Sequence, residues 1–395
     1  MVSARIELPP AQGRHFSRHD CGPCSPASAG YISVRPLTDP SSSSIASQGV
    51  ATYDAFLLVS FGGPEGPEEV LPFLENVLRG RNVPRERMLD VAEHYQHFGG
   101  VSPINAQNRA LLAALKEEFA AAGIGLPLYW GNRNWHPLLP DTLRQMKADG
   151  VQRAIALFTS AFSSYSGCRQ YRENIAAAQA EVGGGAPAID KLRAFFNHPG
   201  FIEPMLERTR TALEQIPSER RQAAHLLFSA HSIPLAMAQN CLYETHFHEA
   251  SRLVAEELGH RNWRLVYQSR SGPPSQPWLG PDIGEALAEV ASGSDARDVV
   301  VVPIGFVSDH MEVLYDLDDE ARTKATALGL RFVRAGTVGT HPRFVRMIRE
   351  LVEERLNDNP VRPALGTLGP SHDVCPVDCC LSGAGVPPAA KRAAS

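Results

Sequence analysis

The sequence predicts an α/β fold of two domains, each a four-stranded parallel sheet flanked by helices. Three observations carry it: short apolar runs that alternate with amphipathic stretches from Tyr53 onward, the near-continuous apolar character of those runs, and a long polar interruption halfway along the chain. Strands are predicted over residues 55–61, 127–131, 153–159, 192–196, 225–230, 264–268, 298–306 and 331–335. Helix-period segments fall between them, at 106–121, 141–149, 204–215, 244–258 and 282–291. Strands apolar at almost every position, not only at alternate ones, are buried on both faces, as in parallel sheets covered by helices.

Eight strand-helix units could also close a barrel. A barrel would space its units evenly, whereas the polar stretch around 197–222 divides the chain into two halves. The expected organisation is an N-terminal extension over 1–52, a first domain over 53–200, a second over 201–340, a returning helix over 341–358 and a cysteine-bearing tail, otherwise disordered, over 359–395. In open parallel sheets, ligands bind beyond the carboxyl ends of the strands, so chemistry is sought just after each strand.

Composition narrows the partners. The chain has 395 residues, of which 43% are hydrophobic and 21% charged, enough for a large core. A formal net charge of -5 without a Lys/Arg run argues against a nucleic-acid partner, because phosphate binding needs clustered cations. No run of eighteen apolar residues suggests a transmembrane segment, and scattered His, Arg and Asp replace the apolar centre of a signal peptide, so a cytoplasmic location is expected. Seven cysteines in such a chain do not make a disulfide framework; they are expected to be spare or metal-bound. The extension, rich in Gly, Ser and Pro, reads as disordered, and its Cys21–Cys24 spacing lacks the strand-to-helix junction of a redox motif.

Two strand ends carry the chemistry. Beyond the fifth strand comes Ser229-Ala230-His231-Ser232-Ile233-Pro234, where Pro234 prevents immediate helix continuation. A neutral imidazole there can bind Fe(II) or accept a proton near neutral pH. Beyond the seventh strand, Glu312, Asp316 and Glu320 recur every fourth residue, which places three carboxylates on one helix face. Such a stripe repels itself and is ordinarily a solvated face; directly after a strand it points to a cation or proton being handled. Carboxylates leading to a histidine suit metal insertion into a macrocycle, since pyrrole protons must leave and loosely held Fe(II) must be handed over.

The first half ends a strand in Phe61-Gly62-Gly63-Pro64 and has a second glycine turn at Gly99-Gly100-Val101-Ser102-Pro103. No GxGxxG follows, so a nucleotide site is not indicated. Arg79, Arg81, His94, Tyr95, Arg133 and Trp135 mix cations with flat rings, a set suited to a planar, carboxylated aromatic ligand.

Together these segments resemble the ferrochelatase family over roughly residues 53–356. The most specific are Ser229-Ala230-His231-Ser232, the run from Phe306 to Glu312, Gly99 to Pro103, and Gln268-Ser269-Arg270 leading to Pro277-Trp278-Leu279-Gly280-Pro281-Asp282. The resemblance implies two Rossmann-like, chelatase-type domains with a porphyrin cleft between them and a last helix crossing back to the first. It implies that His231 and Glu312 form the inner pair that receives iron and accepts pyrrole protons, with Asp316 and Glu320 continuing the acidic path. Arg79, His94, Tyr95, Ser102 and Tyr171 match positions that contact the porphyrin or its propionates in coproporphyrin-using relatives, and Arg133 and Trp278 join this set. Those relatives often place a tyrosine on the iron's other face; here Phe61 stands there and offers no phenolate.

The tail adds Cys375, Cys379 and Cys380, and Cys168 lies in an internal loop. Four thiolates suit a 2Fe-2S cluster, and one internal plus three C-terminal cysteines resembles cluster-bearing actinobacterial ferrochelatases; zinc competes for the same thiols. Cys241 is read as a buried small residue. The reading that results is insertion of Fe(II) into coproporphyrin III within haem b biosynthesis, with haem-pathway enzymes as possible partners. Protoporphyrin IX, a cobalt or nickel chelatase, and a non-catalytic haem or iron-sulfur sensor on the same fold are the alternatives.

Overall fold

The first sheet is laid down by β1 (Ala55–Ser60), β2 (Leu128–Asn132), β3 (Arg153–Phe158) and β4 (Ala188–Lys191), all parallel in the order β2-β1-β3-β4. The second repeats the pattern with β5 (His225–His231), β6 (Trp263–Gln268), β7 (Asp298–Val302) and β8 (Arg331–Arg334), in the order β6-β5-β7-β8. The computed structural model describes residues 52–80, 83–272, 275–293, 295 and 297–383. The N-terminal extension through residue 51, with Cys21 and Cys24, lies outside the described residues, as does Arg81.

Every residue of β1 and β7 is buried, as expected of strands covered on both faces. The covering helices are α1 (Val70–Val77), α2 (Arg85–His97), α3 (Ile104–Ala121), α4 (Leu139–Ala148), α5 (Gln170–Val182), α6 (Pro199–Glu214), α7 (Leu235–Ala238), α8 (Tyr243–Glu257), α9 (Ile283–Gly293), α10 (Met311–Val313), α11 (Arg322–Ala327) and α12 (Pro342–Leu356). Two π-helical segments, Tyr165–Arg169 and Leu314–Ala321, join α5 and α10–α11 respectively. In both sheets the chain order reverses beside the first strand, β1 or β5, which opens a crevice at its carboxyl end.

The fourth strand is displaced from its expected place. It is Ala188–Lys191, and the apolar run at 192–196 is instead a buried irregular segment whose Phe195 and Phe196 fill the core. A short edge strand with Asp190 and Lys191 in it carries little apolar signal, while the segment beneath the core carries much. The seventh strand stops at Val302, four residues early, because Pro303 has no N–H to give the ladder. The polar interruption between the halves is α6, which buries Phe201, Ile202 and Met205 along one face.

α12 lies against α3 and α6. Arg349 Nε donates to Glu118 at 2.8 Å, and the fully buried Arg193 grips Glu354 of α12 through Nε and Nη2 at 2.7 and 2.8 Å. The tail, for which the sequence predicts disorder apart from its cysteines, has no regular structure over its described residues, 359–383, but these are fixed to their neighbours. Arg193 Nη2 donates to the Pro363 carbonyl at 2.9 Å, and Asn197 Nδ2 donates to the Gly369 carbonyl at 2.8 Å.

Candidate active site and thiol centre

His231 ends β5 in register with Gln268, the last residue of β6. Its backbone carbonyl accepts from the Tyr243 hydroxyl at 2.9 Å, and its ring Nδ1 donates to the Ser232 carbonyl. With Nδ1 so engaged, Nε2 is left to face the cleft. Ser232 is itself tied by Oγ to the Leu279 carbonyl at 2.8 Å, which stiffens the loop behind the ring. Close approach of the neighbouring strand end matters here: a Cβ on Gly305 would lie 2.5 Å from the Ala230 Cβ, so only glycine lets the β7 loop pass beside His231.

That loop delivers Glu312 to His231, with Oε1 3.5 Å from Nε2. The side chains are 32% and 45% exposed, so the pair is open to an incoming ligand. Burial would lower the His231 pKa, but the Glu312 carboxylate outweighs it and raises the imidazole to about 9. For Glu312 burial pushes upward and the His231 charge wins, leaving the carboxyl at about 2. His310 lies on the other side of Glu312: its Nδ1 accepts from the Glu312 N–H at 3.2 Å and is 4.0 Å from Oε2. Burial holds His310 below its ordinary range despite that carboxylate. Gln268 Nε2 donates to the Glu312 carbonyl at 3.0 Å and fixes the short helix α10.

Asp316 is the next acid along the stripe, and burial, with Glu312 and Glu320 nearby, raises it to about 7 even though the Ser269 hydroxyl donates to it. Glu320 is exposed and is also raised, first by burial and then by Asp282. The stripe is not the simple α-helical face that its spacing implies. Residues 314–321 form a π-helix, whose wider turn shifts the acids relative to one another, and Glu312 precedes it.

The opposite wall comes from the first sheet. His94 of α2 stacks on Tyr315 with ring centres 3.7 Å apart, and His97 Nε2 lies 3.7 Å from Asp319 Oδ2. The Tyr95 phenol is raised by burial and then by Glu312 and Asp316, so it stands opposite the acids. Phe61 follows β1 at the turn where Gly62, at φ 83°, leaves no room for a side chain against Asn132. Arg133, after β2, covers the rings of Phe61 and Tyr171 at 5.7 and 4.5 Å and donates from Nε to Asn174 at 2.7 Å. Ser102 is buried in the second glycine turn, Trp278 packs over Gly272, and Arg79 is exposed on the turn after α1. Ser269 and His310 stand inside motifs quoted from the sequence, but the sequence assigns neither a role. His310 is legible from its place two residues before Glu312, whereas the left-handed backbone of Ser269 is not.

The family profile of ferrochelatases matches residues 53–356, more than half of the chain. The chain belongs to the ferrochelatase family. A ferrochelatase of Rhodopirellula baltica is 61% identical over 338 residues, which cover 86% of this chain and 96% of that protein. A coproporphyrin III ferrochelatase of Streptomyces coelicolor is 54% identical over 361 residues, covering 86% and 96%. Among solved structures, SirB from Bacillus subtilis with Fe3+ superposes at a TM-score of 0.49 with 12% identity over 77% of this chain and 96% of that one. The family resemblance read from the motifs is borne out, and the chain is a porphyrin metal chelatase, a lyase. No helix among the described residues is long and apolar enough to cross a membrane.

Four thiols of this ferrochelatase chain, those of Cys168, Cys375, Cys379 and Cys380, gather at one place beside the β3 end. Cys168 sits in the first π-helix beside Cys375, and the two thiols act on each other in opposite senses, Cys168 being raised and Cys375 lowered. Cys379 Sγ is 3.5 Å from Cys380 Sγ, and Arg169 Nη1 donates to the Val377 and Cys379 carbonyls at 2.7 and 3.1 Å. Cys380 is buried with φ at 56°, an uncommon backbone for a residue with a side chain. Two thiol pairs of this kind fit a 2Fe-2S cluster, which takes two terminal sulfur ligands on each iron. His372 shares the site, its ring nitrogen and the sulfurs of Cys375 and Cys379 all lying within 4.8 Å of one another.

Proposed function

We propose that this ferrochelatase inserts Fe(II) into coproporphyrin III, with His231 and Glu312 as the pair that meets the iron and the pyrrole protons. The observation that carries the reading is the 3.5 Å approach of His231 to Glu312, with Asp316 behind them near a neutral pKa. Glu320 at the rim and Asp316 inside form a graded acidic route for a cation. An arriving Fe(II) displaces the proton that Glu312 stabilises on His231, and Asp316, at about 7, is the group able to take up or pass on a proton at neutral pH.

Phe61, Arg79, His94, Tyr95, Ser102, Arg133, Tyr171 and Trp278 are assigned to the porphyrin. Arg133 is the cation best placed among rings to meet a propionate, and the 54% identity to a coproporphyrin III ferrochelatase supports the more carboxylated substrate. The domain limits expected at 53–200 and 201–340, a cytoplasmic location and association with haem-pathway enzymes belong to the same reading.

Cys168, Cys375, Cys379 and Cys380 would hold a 2Fe-2S cluster, which when bound stores one electron. The residues around it secure the tail. Arg169 anchors the tail carbonyls, and the Cys168–Cys375 contact joins the tail to the π-helix before Tyr171.

Anaerobic protein offered Fe(II) with coproporphyrin III or protoporphyrin IX tests the reading through the metallation spectrum. Faster turnover of coproporphyrin III is expected. Preference for protoporphyrin IX would reassign the substrate, and turnover of neither would end the proposal.

A further inference from the structure

The thiol centre has a fifth donor that the four-cysteine assignment does not use. His372 Nε2 lies 3.9 Å from Cys379 Sγ, inside the reach of a hydrogen bond to sulfur. The same imidazole neighbours Cys375, so it stands beside both thiol pairs. Its segment is held from behind: Arg362 donates to the Ser371 carbonyl at 2.8 Å and pairs with Asp373 Oδ2 at 3.1 Å. His372 is thus flanked on both sides by residues locked to one arginine, although its own ring is exposed.

The sulfurs of Cys379 and Cys380 lie 3.5 Å apart, and Cys168 neighbours Cys375. Each couple matches the two terminal ligands of one iron, so thiolates fill all four positions. An imidazole outside a filled set, with its nitrogen aimed at a terminal sulfur, acts on the cluster through its N–H. Reduction adds negative charge to the cluster and its thiolates, so a donor pointed at one of them stabilises the reduced state more than the oxidised state.

We propose that His372 is a positioning residue of the cluster, donating Nε2–H to Cys379 Sγ and raising the reduction potential without being a ligand. The inference rests on the cluster reading given above.

The test uses the full chain purified anaerobically as wild type, His372→Ala and His372→Gln, with iron and acid-labile sulfide counted and the cluster titrated reductively at one pH. Equal iron and sulfide in all three is expected, with a more negative potential in His372→Ala and recovery toward wild type in His372→Gln, whose amide restores a donor. The reduced wild type should show no strong nitrogen hyperfine coupling. An unchanged potential in His372→Ala would overturn the assignment, and so would loss of its cluster or a strong nitrogen coupling, either of which makes His372 a ligand. Wild type without iron and sulfide would instead fail the cluster reading itself, and this inference with it.

Discussion

Ser269 and Asp316 are joined by a hydroxyl-to-carboxylate hydrogen bond that reaches across from the β6 end to the π-helix, and Ser269 makes it from a left-handed backbone at φ 62°. A β-strand continuing past Gln268 would carry that hydroxyl elsewhere. The strained turn therefore has a chemical use: it lowers an acid that burial, Glu312 and Glu320 would otherwise drive further upward.

Asp316 should govern the acidic limb of the pH–rate profile. With its pKa at about 7, kcat is expected to rise with pH through that value, and Asp316→Asn should remove the limb and lower kcat on the order of 10²-fold. Ser269→Ala deletes an interaction that favours the charged form, so the limb should move to higher pH. A pKa raised from 3.8 means that the folded state binds this proton more tightly than the unfolded state. The associated stability is complete below pH 3.8 and lost as pH rises through about 7, so Asp316→Asn should melt higher than wild type at pH 8 and close to it at pH 3.5.

The His231–Glu312 pair gives the opposite signature. In Glu312→Gln the charge that raises His231 is gone and burial remains, so its pKa should fall from about 9 to below 6.5, as read from the ring protons by NMR. Activity should fall by roughly 10²- to 10⁴-fold. A variant that kept full activity would favour a non-catalytic sensor over the enzyme reading. The raised His231 contributes stability that is complete below pH 6.5 and lost through about 9, while the depressed Glu312 contributes stability that is complete above 4.5 and lost toward 2. The urea midpoint difference between wild type and Glu312→Gln should thus be larger at pH 6 than at pH 10.

His231 and Glu312 are legible in the sequence because one ends an apolar strand and the other lies in the segment that follows one, and parallel sheets put such positions at one rim. The two-sheet architecture is legible for the same reason, through strands like 298–302 in which every residue is buried. β4 is not: its sequence Ala188-Ile189-Asp190-Lys191 pairs along one edge only, so hydrogen bonding rather than apolar periodicity defines it. The π-helix at 314–321 is hidden because its wider turn is a property of backbone hydrogen bonds, while side-chain spacing fits an α-helix equally well. His372 is hidden for a different reason. An exposed histidine near cysteines acquires meaning only when the tail folds back and its nitrogen meets Cys379.

The Arg193–Glu354 pair should be the most sensitive tie of α12 to the rest of the fold. Both side chains are almost wholly buried, at 1% and 2% exposure, and the fork is bidentate. Removing one partner leaves an uncompensated charge in the core, at a cost of about 3–5 kcal/mol. Glu354→Gln should therefore lower the urea midpoint sharply, whereas the double replacement Arg193→Met with Glu354→Leu should regain much of the loss. Recovery in the double variant would show that the charge left behind, not the lost attraction, dominates the single change.

Two serine replacements should separate the thiols that hold the cluster from the one that does not. Cys168 stands beside Cys375, whose thiol is lowered, so Cys168→Ser removes a sulfur from one iron and should strip iron and acid-labile sulfide from the purified protein. Cys241 Sγ lies 3.4 Å from the Met237 carbonyl, and burial raises its thiol, which keeps it protonated and a poor metal ligand. Cys241→Ser should retain the full iron and sulfide content, since serine can make the same bond to Met237. An undiminished cluster in Cys168→Ser would take that residue out of the set.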